Sequence, residues 1–157
     1  MTDDTWQIGI IMSETGVTGA IERTQITAVR LAVAEINAAG GVRGRRLQPV
    51  FRDPQSRPAL YRSFAQDLCR DEKIRVLFGG HMSSTRKAML PAIEAHNALL
   101  FYPTLYEGFE YSRHCVYTGA APNQNSVPLV DYLHRAFGSR IFMVGSDYVY
   151  PYESNRI

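Results

Sequence analysis

Short apolar runs alternate along the chain with longer segments in which apolar residues recur at helical spacing. The first run, residues 7–12, is apolar on both faces, as expected of a central parallel strand. The segment 19–39 that follows carries Ile26 and Val29 at helical spacing and is stopped by Gly40. The chain is therefore predicted to open with a strand followed by a helix.

The same alternation continues to the end of the chain. The predicted strands are 7–12, 46–52, 74–78, 98–102, 115–117 and 141–145, and the predicted helices are 19–39, a helix from Pro58, 83–96 and 126–137. Pro91 is expected to kink or divide the third helix, and the strand 46–52 is expected at the periphery of the sheet. In the fourth helix, Val130, Leu133 and Phe137 are expected to face inward.

This order of elements predicts a fold class. Strands and helices at this spacing imply right-handed crossovers and an α/β fold with an open, mostly parallel sheet in three αβα layers, of flavodoxin-like type. The polar segment 119–125 is the best candidate for a hinge. The residues from Glu153 to Ile157 begin a helix without a stop signal, so the chain is expected to be truncated.

The composition excludes several classes of function but adds little about the fold. With 45% hydrophobic and 20% charged residues the chain is typical of a folded globular protein, and its net charge of +2 favours neither nucleic acid nor a membrane surface. No apolar run approaches the roughly 18 to 20 residues that span a bilayer. The acidic start, residues 1–4, is unlike a secretory signal, so a cytoplasmic location is expected, or a periplasmic one if a signal was removed.

The usual signatures of catalysis and cofactor binding are absent from the sequence. It contains no Walker A loop, no dinucleotide fingerprint and no Gly-x-Ser-x-Gly elbow. Its histidines, at 81, 96, 114 and 134, lack metal-ligand spacing, and Cys69 and Cys115 allow at most one disulfide. We therefore expect no metal, no cofactor and no enzymatic activity, with an enzyme on a flavodoxin-like fold as a remote alternative.

Hydroxyl groups and aromatic rings are concentrated where the predicted strands end. Ser83 is expected near a helix N-terminus, whose free N–H groups can bind a carbonyl or carboxylate oxygen, although a helix cap without a ligand explains it equally well. Thr104 follows a strand and is also explained by turn chemistry. The tyrosines at strand ends suggest a cleft for a small neutral molecule, while each one singly is explained by packing; these tyrosines are Tyr102, Tyr106, Tyr148 and Tyr150.

Several motifs make the chain resemble one family. Tyr-Glu-Gly-Phe-Glu-Tyr at 106–111 and Gly-Ser-Asp-Tyr-Val-Tyr-Pro at 145–151 are the most specific. Further matching text lies at 13–18, 84–88, 102–104 and 121–125. By these motifs the sequence resembles the type I periplasmic-binding-protein superfamily, and within it the amide-sensing negative regulator of the aliphatic amidase operon and the urea and short-chain amide binding proteins of transporters.

The resemblance implies a ligand-binding set. Ser83 and Thr104 would hydrogen-bond the carboxamide of the ligand, and the tyrosines would enclose its alkyl end. The implied ligand-binding residues are Ser83, Tyr102, Thr104, Tyr148 and Tyr150, with His81 at a position where the regulator has a tyrosine. The resemblance also implies two lobes, with an N-terminal ligand-binding lobe at 1–120, a hinge at 121–125 and the beginning of a second lobe at 126–157.

The main hypothesis from the sequence is a sensor of small amides such as acetamide or urea. It would act as a negative regulator of an amidase operon through ligand-controlled binding of a partner, which in the resembling regulator is an RNA-binding antitermination protein. The alternative is the solute-binding component of an ABC transporter for urea or short-chain amides. Neither hypothesis involves direct contact with nucleic acid or insertion into a membrane, and both leave a homo-oligomer open.

Overall fold

The computed structural model describes residues 5–157, so the acidic start at 1–4 lies outside the described residues. Strands and helices alternate along most of this length. The strands are β1 (Thr5–Ile11), β2 (Arg46–Arg52), β3 (Val76–Gly79), β4 (Leu99–Tyr102) and β5 (Cys115–Tyr117), and the helices are α1 (Gly19–Ala38), α2 (Pro58–Arg70), α3 (Ser83–Ala95), α4 (Ser126–Phe137) and α5 (Val149–Ser154).

The five strands form one sheet in the order β2-β1-β3-β4-β5. Every neighbouring pair is parallel, and Ile10 of β1 lies between Phe51 of β2 and Phe78 of β3. The prediction that 46–52 is peripheral is confirmed, because β2 is an edge strand. Since all strands run in one direction, their carboxyl ends meet at a single edge of the sheet, where ligands bind in such folds.

Helices cover both faces of the sheet, which confirms the α/β fold with three layers. On one face α2 and α3 pack over Leu77 and Leu100 in the larger core. On the other face Ile26 of α1 packs against Ile10 and Met12. Cys69 lies in the larger core and is fully buried.

The predicted strand 141–145 is absent. This segment has no regular secondary structure, and Phe142 is 91% exposed. Its apolar run satisfies the pattern of a buried strand, but a strand forms only beside a hydrogen-bonding neighbour, and no strand among residues 5–157 lies beside it.

The inward face predicted for α4 is also wrong for the described residues. The helix has the predicted bounds, but none of its residues is buried, and Val130 and Phe137 are exposed. Periodicity alone cannot show whether another element packs against the apolar side of a helix.

Helix α3 differs from the prediction at its start. Its N-cap is Met82, and no side-chain oxygen caps the helix, because the hydroxyls of Ser83 and Thr85 are used as donors elsewhere. The helix runs through Pro91 undivided. No helix of residues 5–157 is both long and apolar enough to cross a membrane.

Candidate functional site

A cavity of about 250 Å³ opens at the carboxyl ends of β3 and β4. Its walls come from the loop after β3, the start of α3, the loop after β4 and the region of α5. The residues that line it are His81, Met82, Ser83, Thr104, Leu105, Tyr148 and Tyr150. The structure thus brings together all of the predicted ligand-binding residues except Tyr102.

Two glycines let the chain turn from β3 towards this cavity. Gly79 has φ +148°, and a Cβ atom built there would lie 1.9 Å from the carbonyl oxygen of Ile11. Gly80 follows with φ +78° and donates its N–H to the same carbonyl. Only glycine fits so close to the neighbouring strand, and the tight turn places His81 at the edge of the sheet.

Tyr102 lies beside the cavity as a buried support. Its phenol donates a 2.8 Å hydrogen bond to the backbone carbonyl of His81, which ties the end of β4 to the loop after β3. Burial raises the pKa of Tyr102 to about 12, with the charge of Glu107 adding to the effect against that of Arg86. The phenol therefore stays protonated at neutral pH.

Ser83 connects the cavity to a buried ion pair. Its hydroxyl donates to Glu107 Oε2 over 2.9 Å. The same carboxylate accepts two hydrogen bonds from Arg86, at 3.1 Å from Nη1 to Oε2 and 2.6 Å from Nη2 to Oε1. The side chains of Arg86 and Glu107 are both 0% exposed. A buried pair of this kind is stable only because each charge is paired and hydrogen-bonded.

Further groups complete the surroundings of Arg86. Its Nε donates to Glu110 over 2.7 Å, and Lys87 binds the other oxygen of the Glu110 carboxylate. The guanidinium also lies within cation–π distance of three tyrosine rings, those of Tyr102, Tyr106 and Tyr117. The four ionic groups balance one another, so the network adds no net charge beside the cavity.

The protonation states of this network follow from its contacts. Burial alone would lower the pKa of Arg86, but its bonds to Glu107 and Glu110 outweigh burial and raise it. Burial alone would raise the pKa of both glutamates, but for Glu107 the bonds from Arg86, and for Glu110 those from Lys87 and Arg86, hold the pKa below its ordinary value. All three groups are therefore charged at neutral pH.

The walls of the cavity carry no Asp, Glu, Lys or Arg side chain. Their polar groups are hydroxyls and one imidazole. His81 Nδ1 is shielded from solvent and has no hydrogen-bond partner among residues 5–157. A buried polar atom without a partner is unfavourable, so this nitrogen is a candidate for hydrogen bonding to a ligand.

Other strand-end residues lie elsewhere. Tyr106 stacks on Tyr117 with ring centroids 4.0 Å apart and does not line the cavity. The hydroxyl of Ser13, after β1, bonds to Tyr61 and to the backbone of Ser56 in a buried network around Glu22. These groups hold the loops after β1 and β2 together.

The sequence did not assign a role to Arg86, Glu107 or Glu110. All three fall within motifs that carry the family resemblance, at 84–88 and 106–111, and opposite charges in these two motifs were the available signal. Their pairing depends on the parallel register of β3 and β4, which brings the start of α3 close to the loop after β4.

The structure offers no alternative centre for a metal or a reactive thiol in its described part. No group of three or more His, Cys, Asp or Glu side chains within 5–157 could hold a metal ion. Cys69 and Cys115 are both free and buried, and burial raises the pKa of each thiol, to about 11 for Cys115. Neither cysteine is activated as a nucleophile.

Known proteins share this architecture. Residues 6–157 match the family described as "Periplasmic binding protein domain". A solute-binding protein of an ABC transporter from Rhodopseudomonas palustris, solved with 3,4-dihydroxybenzoic acid, is 20% identical with a TM-score of 0.83, over 98% of this chain and 42% of that one. A second protein from R. palustris, solved with 4-hydroxybenzoate, is 21% identical with a TM-score of 0.80, over the same shares.

A third similar structure is a branched-chain amino acid transporter substrate-binding protein from Streptococcus pneumoniae, solved with isoleucine. It is 21% identical with a TM-score of 0.71, over 84% of this chain and 38% of that one. At these identities the likeness establishes the fold. The chain spans about two fifths of the length of these structures.

Proposed function

This chain belongs to the periplasmic binding protein domain family, and we propose that it is part of the solute-binding component of an ABC transporter for a small uncharged amide or urea. The proposal combines the family with the chemistry of the cavity. The family and its structural neighbours are binding proteins, in keeping with the expectation of a non-enzymatic role.

The observation that carries the proposal is a small cavity without a charged wall. A volume of about 250 Å³ is less than that of most drug-sized pockets and suits a ligand of few heavy atoms. Among the described residues no Lys or Arg side chain lines the cavity, so a carboxylate ligand would bury its charge without a paired cation. A neutral amide needs only a few hydrogen bonds and an apolar wall.

The residues take their proposed roles from the family resemblance, and their shared position at one cavity supports these roles. Ser83 and Thr104 hydrogen-bond the carboxamide, and His81 Nδ1 gains in the ligand the partner that it lacks. Tyr148 and Tyr150 enclose the alkyl end. Tyr102 acts indirectly, because its phenol holds the backbone of His81 in place.

The transporter role is favoured over the sensor role. Among the similar structures are substrate-binding proteins of ABC transporters for amino acids and benzoates, and the comparisons give no support to a regulator of an amidase operon or to an RNA-binding partner. Membership of a family of periplasmic binding proteins likewise supports the periplasmic alternative over the cytoplasmic expectation.

The size of the ligand limits the affinity to be expected. Acetamide and urea have four heavy atoms, and at a ceiling of roughly −1.5 kcal/mol per atom the binding free energy is at most about −6 kcal/mol. This corresponds to a dissociation constant on the order of tens of micromolar. Binding assays must therefore reach millimolar ligand.

Calorimetry and thermal unfolding of the purified protein test the proposal directly. The panel contains acetamide, propionamide and urea, with isoleucine and 4-hydroxybenzoate as the ligands of the structural neighbours. Saturable binding of an amide or urea, with neither of the other two competing, is expected. Binding of isoleucine or 4-hydroxybenzoate alone would overturn the assignment.

A pair of variants shows whether binding uses this cavity. Thr104→Val removes a hydroxyl from the cavity wall and is expected to weaken amide binding about tenfold. Thr24→Val is the matched control, because its exposed hydroxyl bonds only to the backbone of Ile21 within α1. Equal effects of the two variants would place the ligand elsewhere.

A further inference from the structure

We infer that Glu107, held by Arg86, is a positioning residue that fixes the direction of the Ser83 hydroxyl and makes the cavity select ligands that donate an N–H group. The inference rests on the proposed function and deepens it. It concerns the kind of hydrogen bond that the site demands, which neither the fold nor the size of the cavity determines.

The first step is the charge state of Glu107. Both of its oxygens accept hydrogen bonds from the guanidinium of Arg86, which is itself fully buried and always cationic. A carboxylate in this setting is ionised and carries no proton. Every hydrogen bond that it makes is therefore one in which it accepts.

The second step is the direction of the Ser83 hydroxyl. A serine has one proton to donate and two lone pairs with which to accept. Because ionised Glu107 can only accept, the 2.9 Å contact uses the proton of Ser83. The phenol of Tyr102 is also close to Ser83, but a carboxylate is the stronger acceptor.

The third step is what remains for the ligand. With its proton committed to Glu107, the hydroxyl of Ser83 presents only lone pairs to a molecule in the cavity that this residue lines. A ligand N–H can bind to them, whereas a carbonyl or carboxylate oxygen at that point would face another acceptor. An amide placed with its nitrogen towards Ser83 satisfies the site, and a ligand without N–H groups leaves it unsatisfied.

Three isomeric amides test whether the number of N–H donors of the ligand determines its affinity. Propionamide, N-methylacetamide and N,N-dimethylformamide share the composition C₃H₇NO and offer two, one and no N–H donors. Their affinities are measured by calorimetry at millimolar concentration. Propionamide is expected to bind about tenfold to a hundredfold more tightly than N,N-dimethylformamide, the range expected when a buried acceptor is left unpaired.

Variants show whether Glu107 causes the preference. In Glu107→Gln the amide can donate to Ser83 as well as accept from it, so the hydroxyl is free to turn, and the affinity ratio of the isomers is expected to fall towards one. Glu110→Gln is the matched control. Glu110 pairs with the same Arg86 but does not contact Ser83, so the ratio should keep its original value.

The outcomes separate the inference from the proposed function. Equal affinities of the three isomers for the unchanged protein would overturn the inference and leave an amide-binding function standing. A preference that survives in Glu107→Gln, or that is lost equally in Glu110→Gln, would also overturn it. If no amide or urea binds at all, the proposed function and the inference fail together.

Discussion

The guanidinium of Arg86 and the carboxylate of Glu107 face each other through two hydrogen bonds in the interior of the protein, with neither side chain exposed. Arg86 belongs to α3 and Glu107 to the loop after β4. The pair therefore joins two of the segments that form the cavity. Its removal should affect both stability and binding.

Replacement of Arg86 by methionine is expected to destabilise the protein strongly. Arg86→Met leaves Glu107 buried without its cation, and the loss of one partner of a buried ion pair typically costs about 3–5 kcal/mol of unfolding free energy. Lys87→Met is the control, because Lys87 is 40% exposed and its pair with Glu110 should contribute about 1 kcal/mol or less. Thermal unfolding measures both, and equal losses would contradict a special role for the buried pair.

Acidification is expected to act through Glu107. Burial raises the pKa of this carboxyl, but the bonds from Arg86 outweigh burial, so the pKa in the folded protein lies below the ordinary value of 4.5. The folded state therefore binds the proton less readily than the unfolded state. The contribution of ionised Glu107 to stability is present above about pH 4.5 and is lost as the pH falls through the lower pKa of the folded protein.

Thermal unfolding at several pH values between about 6 and 3 measures this contribution. The unfolding free energy of the unchanged protein should decrease with falling pH, and that of Glu107→Gln should decrease less steeply. A parallel pH dependence in the two proteins would show that another carboxyl is responsible.

Alkaline titration should reveal tyrosines that resist ionisation. Burial, as the main cause, raises the pKa of Tyr61, Tyr102 and Tyr117, and that of Tyr102 reaches about 12. Phenolate absorbance at about pH 11 should therefore account for fewer than the nine tyrosines of the chain, whereas the urea-unfolded protein should ionise all of them. Because the folded pKa values are raised, the tyrosines stabilise the fold below about pH 10, and this stability is lost at higher pH.

Gly119 is expected to be required for the position of the Thr104 backbone, because a side chain at residue 119 would collide with it. A Cβ atom at residue 119 would lie 2.1 Å from the carbonyl oxygen of Thr104, so Gly119→Ala must displace the backbone of a cavity residue. We expect a loss of about 1–3 kcal/mol in unfolding free energy and weaker amide binding. Gly44→Ala is the control: nothing lies within 4 Å of its Cβ position, so only the cost of its φ of +77° remains. If Gly119→Ala bound the amide as well as the unchanged protein does, Thr104 would have no role in ligand binding.

The periodic part of the fold could be predicted closely from the sequence. The bounds of β2, β5 and α4 agree with the prediction, because a strand or helix with a clear start and stop signal is specified locally. The segment 141–145 has an equally strong apolar pattern and forms no strand. Local pattern shows which side of an element avoids water, but not whether a partner is present to cover it.

Some residues of the candidate site could likewise be predicted from the sequence, and others could not. Ser83 and Thr104 could be identified because parallel strands place their carboxyl ends together, so hydroxyls that follow strands converge. Tyr150 follows the segment 141–145, which forms no strand, so only the family resemblance indicated it. Glu107 could not be given a role in this way. Its contact with Ser83 spans 24 residues and depends on how the loop after β4 folds back over α3, which no local pattern encodes.

His81 provides a test in which stability and binding should change in opposite directions. Its Nδ1 is shielded from solvent and lacks a hydrogen-bond partner within residues 5–157, although the ring lines the cavity. An unpaired buried polar atom costs about 1–3 kcal/mol, so His81→Phe, which removes it and keeps an aromatic ring, should raise the unfolding free energy of the ligand-free protein. The same variant should reduce the stabilisation that amide ligands provide, because their hydrogen bond to the imidazole is lost.

Thermal unfolding with and without propionamide measures both effects in one experiment. His134→Phe is the control, since His134 is an exposed residue of α4 and does not line the cavity, and it should change neither value appreciably. A polar group that only the ligand satisfies destabilises the ligand-free protein, so its removal should increase stability. If His81→Phe instead lowers stability and leaves the effect of propionamide unchanged, the imidazole is a packing group and the ligand is held by the hydroxyls alone.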